Sequence, residues 1–436
     1  MNKNTFIIGF MLFALFFGAG NLIYPPILGI QSGTSYWAAI SGFLITGVGL
    51  PILAVMAISF VKNDARELAN VVHPTFGLIF TSMVYLAIGP FFGIPRAATV
   101  AYEMSIVPFT EVSAVVLFIF TIIFFTLVYI VSRNPNKIVN LIGQMLTPIL
   151  FIAILGLIAG ALFLLKGSST APVDGYVSAP FFTGFIEGYL TMDAIAALAF
   201  GIVVVNAFKD MGVTSQKDLV KATGKAGVIT AVGLITVYSS LGWIGSKMAT
   251  HGDYTNGGEI LSAAADYMFG GFGSLLLGII VALACFTTCV GLVVAAAQFF
   301  EKVTPFSYKT IVSVVTLGSF LISNQGLETI INYSVPVLVF IYPIAIVLII
   351  LPFFNRFIPQ RRSFYRGAIF LTFFVSLYDG LIEFGLEMPN ITAFMEKVPL
   401  LDIGLGWLIP AIIGGILGIL IGQLSSKSTS TNDGAA

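Results

Sequence analysis

Apolar runs of about 20 residues recur along almost the whole chain, and a hydrocarbon bilayer core takes about that many residues of helix to cross. Backbone N–H and C=O groups in lipid find partners only within a helix or a closed barrel, so runs of this length predict helices. Twelve are read: 6–30, 37–61, 75–104, 112–132, 138–165, 182–208, 222–246, 270–300, 310–323, 329–353, 365–385 and 403–424. The ninth is short, and the eighth leaves room for a lead-in segment before it. Charge agrees with the runs. Asp, Glu, Lys and Arg make up 9% of the 436 residues, against about 25% in soluble domains. Too little charge remains to cover a surface in water, so lipid must replace water around most of the molecule. The expectation is an all-α integral membrane protein of about 12 transmembrane helices with no soluble domain, ending in a polar, disordered tail at 425–436.

The first run follows Met1-Asn2-Lys3 as a signal peptide would, yet it is too long for one and lacks a small-residue cleavage pattern. Orientation comes from Lys and Arg, which accumulate in cytoplasmic loops. With the N-terminus inside, only Lys166, Lys247 and Lys397 of the 20 basic residues fall outside, and Arg96 lies within a span. The others, from Lys3 to Lys427, are cytoplasmic, which places both termini there. Arg361, Arg362 and Arg366 read as topology signal and lipid head-group contact. A net charge of zero gives no sign of a nucleic-acid partner. Cys285 and Cys289 are four apart in one apolar run, small packing residues rather than a disulfide or metal pair. His73 and His251 fall in polar connections. No His-Glu-x-x-His or Gly-x-Ser-x-Gly pattern lies in a span, which argues against an intramembrane enzyme. A channel would want repeated polar rings along a pore, and here polar residues gather at two interruptions.

Those interruptions carry the functional information. Run one reads Gly18-Ala19-Gly20-Asn21-Leu22-Ile23-Tyr24-Pro25-Pro26, glycines and two prolines that invite unwinding. Run six reads Gly188-Tyr189-Leu190-Thr191-Met192-Asp193-Ala194, with a carboxylate at a depth where charge is costly. The two runs are five helices apart, an odd number, so the halves enter from opposite sides. That is an inverted 5+5 repeat, 1–165 and 166–353, each half led by a discontinuous helix, with two further helices in 354–424. Pro148 in the fifth helix of one half, and Pro336 with Pro343 in that of the other, echo the symmetry. Broken helices offer N–H groups to a carboxylate and carbonyls to an ammonium or a metal ion.

These two stretches, with Gly89-Pro90-Phe91-Phe92-Gly93-Ile94-Pro95-Arg96-Ala97-Ala98-Thr99-Val100, resemble the bacterial branched-chain amino acid:cation symporter family, over essentially the whole chain. The resemblance implies a LeuT-type fold and uptake of leucine, isoleucine and valine with Na⁺, or with H⁺ as in some members. It implies a substrate site from Gly18, Ala19, Gly20 and Asn21 on one side and Thr191, Met192, Asp193 and Ala194 on the other. The amides of Ala19 and Gly20 would hold the carboxylate, and carbonyls around Met192 or the Asp193 side chain the ammonium. Asn21 would approach one Na⁺. Carbonyls of Ala14 and Phe17 with the hydroxyls of Thr287 and Thr288 would hold another, an oxygen-only set suited to a hard cation.

Plainer readings stand beside these. The Gly18–Asn21 break also fits close helix packing, Asp193 a cap on the following half-helix, and Thr287 and Thr288 bonds back to their own helix. Arg96 and Glu103, seven apart on one face, form either a static ion pair or an outer gate with Glu187 or Asp379. An exchanger or exporter of the same fold is the other carrier reading, and Asp193 is the residue that would matter for proton coupling.

Overall fold

The computed structural model describes residues 3–61, 65–133, 138–213, 215–358 and 360–432, apart from the side chains of 3–4, 138–148, 150 and 425–432. Among them there are helices and no strand. Run one is α1 (Lys3–Phe16) and α2 (Ala19–Ser32); run two is α3 (Tyr36–Leu44), a π turn (Ile45–Gly49) and α4 (Leu50–Ile58). A short α5 (Ala65–Asn70) precedes run three, which is α6 (Pro74–Leu86), a π turn (Ala87–Phe91) and α7 (Gly93–Ser105). Then come α8 (Ala114–Ser132), α9 (Ile138–Leu164) and a four-residue α10 (Gly175–Ser178). Run six is α11 (Pro180–Glu187), a 3₁₀ turn (Gly188–Thr191) and α12 (Asp193–Asp210). The rest are α13 (Gln216–Met248), α14 (Gly257–Val303), α15 (Tyr308–Ser323), α16 (Leu327–Phe354), α17 (Arg361–Glu383), α18 (Pro389–Met395) and α19 (Leu408–Asn432).

By length and composition, seven helical stretches among the described residues can cross a membrane, or up to eight if the bent pair α11–α12 is one span. Shorter apolar helices lie at Thr5–Phe16, Phe151–Leu164, Tyr308–Ser323 and Leu408–Leu424. The helix Ala114–Ser132 has a mean hydropathy of 2.9 with only 22% of its window buried. A surface so apolar is stable in lipid and not in water, so the protein is a multi-pass membrane protein.

Each break has a local cause. The 40-residue stretch Ala19–Ile58 would run about 60 Å as one helix, twice a bilayer. Gly33 divides it at φ +48°, a conformation that glycine adopts without a Cβ clash. Gly270, at φ +66° and ψ −173°, likewise kinks the 47-residue α14 where a lead-in was expected. Pro25 and Pro26 do not unwind the first run: both lie inside α2, and the break falls ahead of them at Phe17 and Gly18. An interruption in run three was not foreseen. Gly89 is non-helical (φ −89°, ψ −120°), and Pro90 removes a donor beside it.

The last run begins at Leu408 rather than 403, because Gly404 at φ +73° follows a 3₁₀ turn. Its helical backbone continues to Asn432, into the expected tail, and residues 433–436 lie outside the described residues. Of the basic residues used for orientation, Lys62 and Lys137 lie outside them too, as do the side chains of Lys3, Lys427 and the expected Pro148.

Candidate functional site

The first break leaves two helix ends facing each other. α1 stops at Phe16, after the Phe17 amide bonds to the Phe13 carbonyl at 2.8 Å. The carbonyls of Ala14 and Phe17 thus belong to the last turn and its exit, where an α-helix lacks internal donors. α2 starts at Ala19, so Ala19, Gly20 and Asn21 contribute amides from its first turn. Asn21 reaches back, and its Oδ1 accepts from the Gly18 amide at 3.3 Å.

The second break turns on Met192, a non-glycine residue in the left-handed region (φ 64°, ψ 6°). Such a conformation costs on the order of 1 kcal/mol and persists where surroundings enforce it. It bends α11 and the 3₁₀ turn away from α12 by 47°. The Thr191 hydroxyl donates to the Gly188 carbonyl at 3.0 Å and accepts from the Asp193 amide at 3.3 Å. Ala194 lies in the first turn of α12, and the Tyr342 phenol sits beside its amide.

The two breaks meet in the interior. Asn21 and Asp193 are 1% and 4% exposed. Asp193 Oδ2 accepts from Asn21 Nδ2 at 2.7 Å and from the Tyr238 hydroxyl, supplied by α13, at 2.9 Å. Asn21 Nδ2 also donates to the Tyr238 oxygen, closing a triangle. The Asp193 side chain therefore ties three helices together and does not cap α12, which excludes the capping alternative.

Arg96 closes the other side. It is 3% exposed, and its Nη1 donates to the Tyr24 hydroxyl at 3.0 Å and the Leu190 carbonyl at 2.6 Å. Nη2 donates to the Thr191 carbonyl at 3.2 Å, and the guanidinium lies 5.3 Å from the centre of the Tyr24 ring. Nε is buried with no acceptor. A methyl group at Gly20 would sit 2.9 Å from Arg96 Nη2, so glycine is what lets α2 approach the guanidinium.

This corrects the expected Arg96–Glu103 pair. The arginine spends its bonds across the bundle on the end of the 3₁₀ turn, whose carbonyls have lost helical donors. Glu103, two turns further along α7 and only half-buried, is not its partner. The carbonyls of Leu190 and Thr191 are consequently already bonded to a cation, which leaves Asp193 as the acidic group of the cluster.

On the cation side, Thr288 and Thr287 behave differently. A methyl group at Gly18 would sit 3.6 Å from Thr288 Cγ2 and 3.8 Å from its hydroxyl, so α14 brings Thr288 against the first break. Thr287 bonds back to the Ala284 carbonyl at 2.9 Å. The α1 exit carbonyls, the Asn21 side-chain oxygen and the Thr288 hydroxyl are oxygen groups of the kind hard cations take. No group of three or more His, Cys, Asp or Glu that could hold a metal ion occurs among the described residues.

Sequence reasoning missed Tyr24 and Tyr238 as members of this site. Tyr24 stood inside a quoted motif. Tyr238 is 217 residues from Asn21, with only a phenol in an apolar run to mark it.

The chain matches the family described as branched-chain amino acid transport protein over residues 1–425. The branched-chain amino acid permease BraB of Bacillus subtilis (strain 168) is 46% identical over 99% of this chain and 98% of its own length. Relatives of this kind are named permeases, not enzymes. Among solved structures, Mhp1, a nucleobase-cation-symport-1 family transporter in a closed conformation with bromovinylhydantoin bound, superposes with a TM-score of 0.61 at 15% identity. That match covers 95% of this chain and 91% of the other. MhsT in complex with L-phenylalanine gives 0.56 at 16% identity, covering 96% and 98%. At these identities the likeness is one of fold.

Proposed function

The chain belongs to the branched-chain amino acid transport protein family, and on that premise we propose that it imports leucine, isoleucine and valine by symport with Na⁺. The observation that carries the reading is the meeting of two helix breaks around the buried triangle of Asn21, Asp193 and Tyr238, with Thr288 against Gly18. A free amino acid needs a place for a carboxylate, an ammonium and an apolar tail. The amides of Ala19 and Gly20 serve the first, and Asp193 serves the second. Na⁺ sits between the carbonyls of Ala14 and Phe17 and the Thr288 hydroxyl, where it stiffens the first break and favours substrate entry.

We place both termini in the cytoplasm of a bacterial cell and count twelve spans, with 1–165 and 166–353 as inverted repeats and 354–424 as two added helices. The packing supports the repeat. α2 packs on α13 as α12 packs on α4, and α11 packs on α3 as α1 packs on α13. Exchanging helix one with six and helix two with seven maps each pair onto the other, as an inverted repeat requires. Alternating access then rocks helices one, two, six and seven against the remainder.

Uptake of leucine by purified protein in liposomes tests the reading. Accumulation driven by a Na⁺ gradient alone supports symport with Na⁺. Accumulation driven by a pH gradient alone replaces it with H⁺ coupling, for which the buried Asp193 carboxylate would be the carrier. In the same assay, Thr288→Ala raises the Na⁺ concentration for half-maximal uptake by roughly 10-fold, the loss of one oxygen ligand. Unchanged Na⁺ dependence removes Thr288 from the ion site.

A further inference from the structure

We infer that Arg96 binds the substrate carboxylate through the edge formed by its Nε and Nη2, beside the amides of Ala19 and Gly20. The inference rests on the proposed amino acid transport. A guanidinium has five N–H donors in a fixed plane. Two on Nη1 go to Tyr24 and Leu190, and one on Nη2 goes to Thr191. With Thr191 on the Nη2 hydrogen that faces Nη1, the remaining Nη2 hydrogen and the Nε hydrogen share one edge of the plane, the fork that pairs with both oxygens of a carboxylate.

Among the described residues that fork is unpaired: Nε has no acceptor although the residue is 3% exposed. The three acceptors already present are neutral, so the guanidinium charge has no counter-ion among its bonded partners. The Asp193 carboxylate is bonded to Asn21 and Tyr238 instead.

The surroundings point the same way. Nη2 faces Gly20 so closely that a methyl group there would approach it to 2.9 Å. Gly20 lies in the first turn of α2, where free amides and the positive end of the helix dipole favour an anion. Arg96 and the α2 amides thus attract the same group from two directions. Asp193 is bonded to the side chain of Asn21, the next residue along α2. A buried cation against Gly20 and a buried anion on Asn21 match the two ends of a zwitterion. Arg96 then accounts for selection of free α-amino acids over their amides or amines, which the backbone amides alone select weakly.

The test compares leucine with leucinamide, which keeps the ammonium and side chain but carries a neutral amide in place of the carboxylate. Both are titrated against purified full-length protein at saturating Na⁺, with thermal stabilisation as the readout. In the wild type, leucine binds roughly 100-fold more tightly than leucinamide. Arg96→Gln brings the two within about 3-fold of each other, and Arg96→Lys, a point charge without the fork, keeps an intermediate preference. Equal weakening of both ligands by Arg96→Gln, with the preference intact, overturns the inference and makes Arg96 a strut between α7 and the breaks. Should Arg96→Gln fail to fold, Arg96→Lys carries the comparison alone, since it keeps a cation at the site but loses the fork. Selective loss of leucine supports the inference, and parallel loss overturns it. A wild type stabilised equally by leucine and leucinamide sinks this inference alone. A wild type that responds to no branched-chain amino acid sinks the transport reading with it.

Discussion

Asp193→Ala lowers the efficiency of leucine uptake by at least about 100-fold, because it removes the one acidic group bonded between the two helix breaks. The carboxylate is 4% exposed and accepts from Asn21 and Tyr238 at 2.7 and 2.9 Å. Alanine leaves the Tyr238 hydroxyl buried without an acceptor, at about 1–3 kcal/mol, and Asn21 Nδ2 with only the Tyr238 oxygen, so some loss of stability accompanies the loss of transport. Asp193→Asn separates the two effects. Its amide oxygen still accepts a hydrogen bond and its volume is nearly unchanged, so the protein stays folded while the charge is gone. If Asp193 holds the ammonium, Asp193→Asn raises the leucine concentration for half-maximal uptake and leaves the Na⁺ dependence alone. If Asp193 carries a coupling proton, the variant loses accumulation against a gradient but still exchanges internal for external leucine. An Asp193→Asn protein with wild-type accumulation and affinity removes the residue from both roles.

The breaks were legible in the sequence because they rest on local chemistry. Gly18, Gly20 and Asn21 in one span and Asp193 in another are residues that a continuous lipid-facing helix would not choose. Asp193, a carboxylate well inside run six, lies where the two breaks meet. The partners were not legible. Arg96 bonds to Leu190 and Thr191, 94 and 95 residues away, and nothing local says that its guanidinium turns across the bundle rather than along its own helix to Glu103. A spacing of seven places two side chains on one face without making them touch.

The prolines misled for a related reason. Pro25 and Pro26 each lack a donor, yet α2 absorbs both, because neighbouring helices hold its backbone in place and the more permissive Gly18 lies about two turns upstream. Gly89-Pro90 carried the same warning as the first break, but it was read as part of a family motif and not as an interruption of run three. Thr287 and Thr288 illustrate a limit of periodicity. Adjacent hydroxyls differ by 100° around a helix, and only the tertiary packing decides which one meets Gly18.

Gly29→Ala destabilises the protein by about 3 kcal/mol, the upper range for overpacking a core, since what it meets is backbone. A methyl group at Gly29 would lie 1.9 Å from the Gly242 carbonyl oxygen and 2.8 Å from the Ser246 nitrogen. Across the same interface, one at Gly245 would lie 2.1 Å from the Pro26 carbonyl oxygen. α2 and α13 therefore touch main chain to main chain, the contact that small residues permit between helices in lipid, and only separation of the helices makes room. Gly156→Ala in α9 is the control, with no heavy atom within 4 Å of the added carbon, and it leaves stability unchanged or slightly raised through helix propensity. Thermal unfolding in detergent compares the two, and a Gly29→Ala protein melting with the wild type refutes the close packing. The consequence reaches the site. α2 carries Gly20, Asn21 and Tyr24, and α13 carries Tyr238, so the same interface sets the Asn21–Tyr238–Asp193 triangle and the approach of Gly20 to Arg96. Gly29→Ala protein that still folds binds leucine more weakly even though residue 29 touches neither substrate nor ion, because parting α2 from α13 opens the triangle at its Asn21–Tyr238 edge.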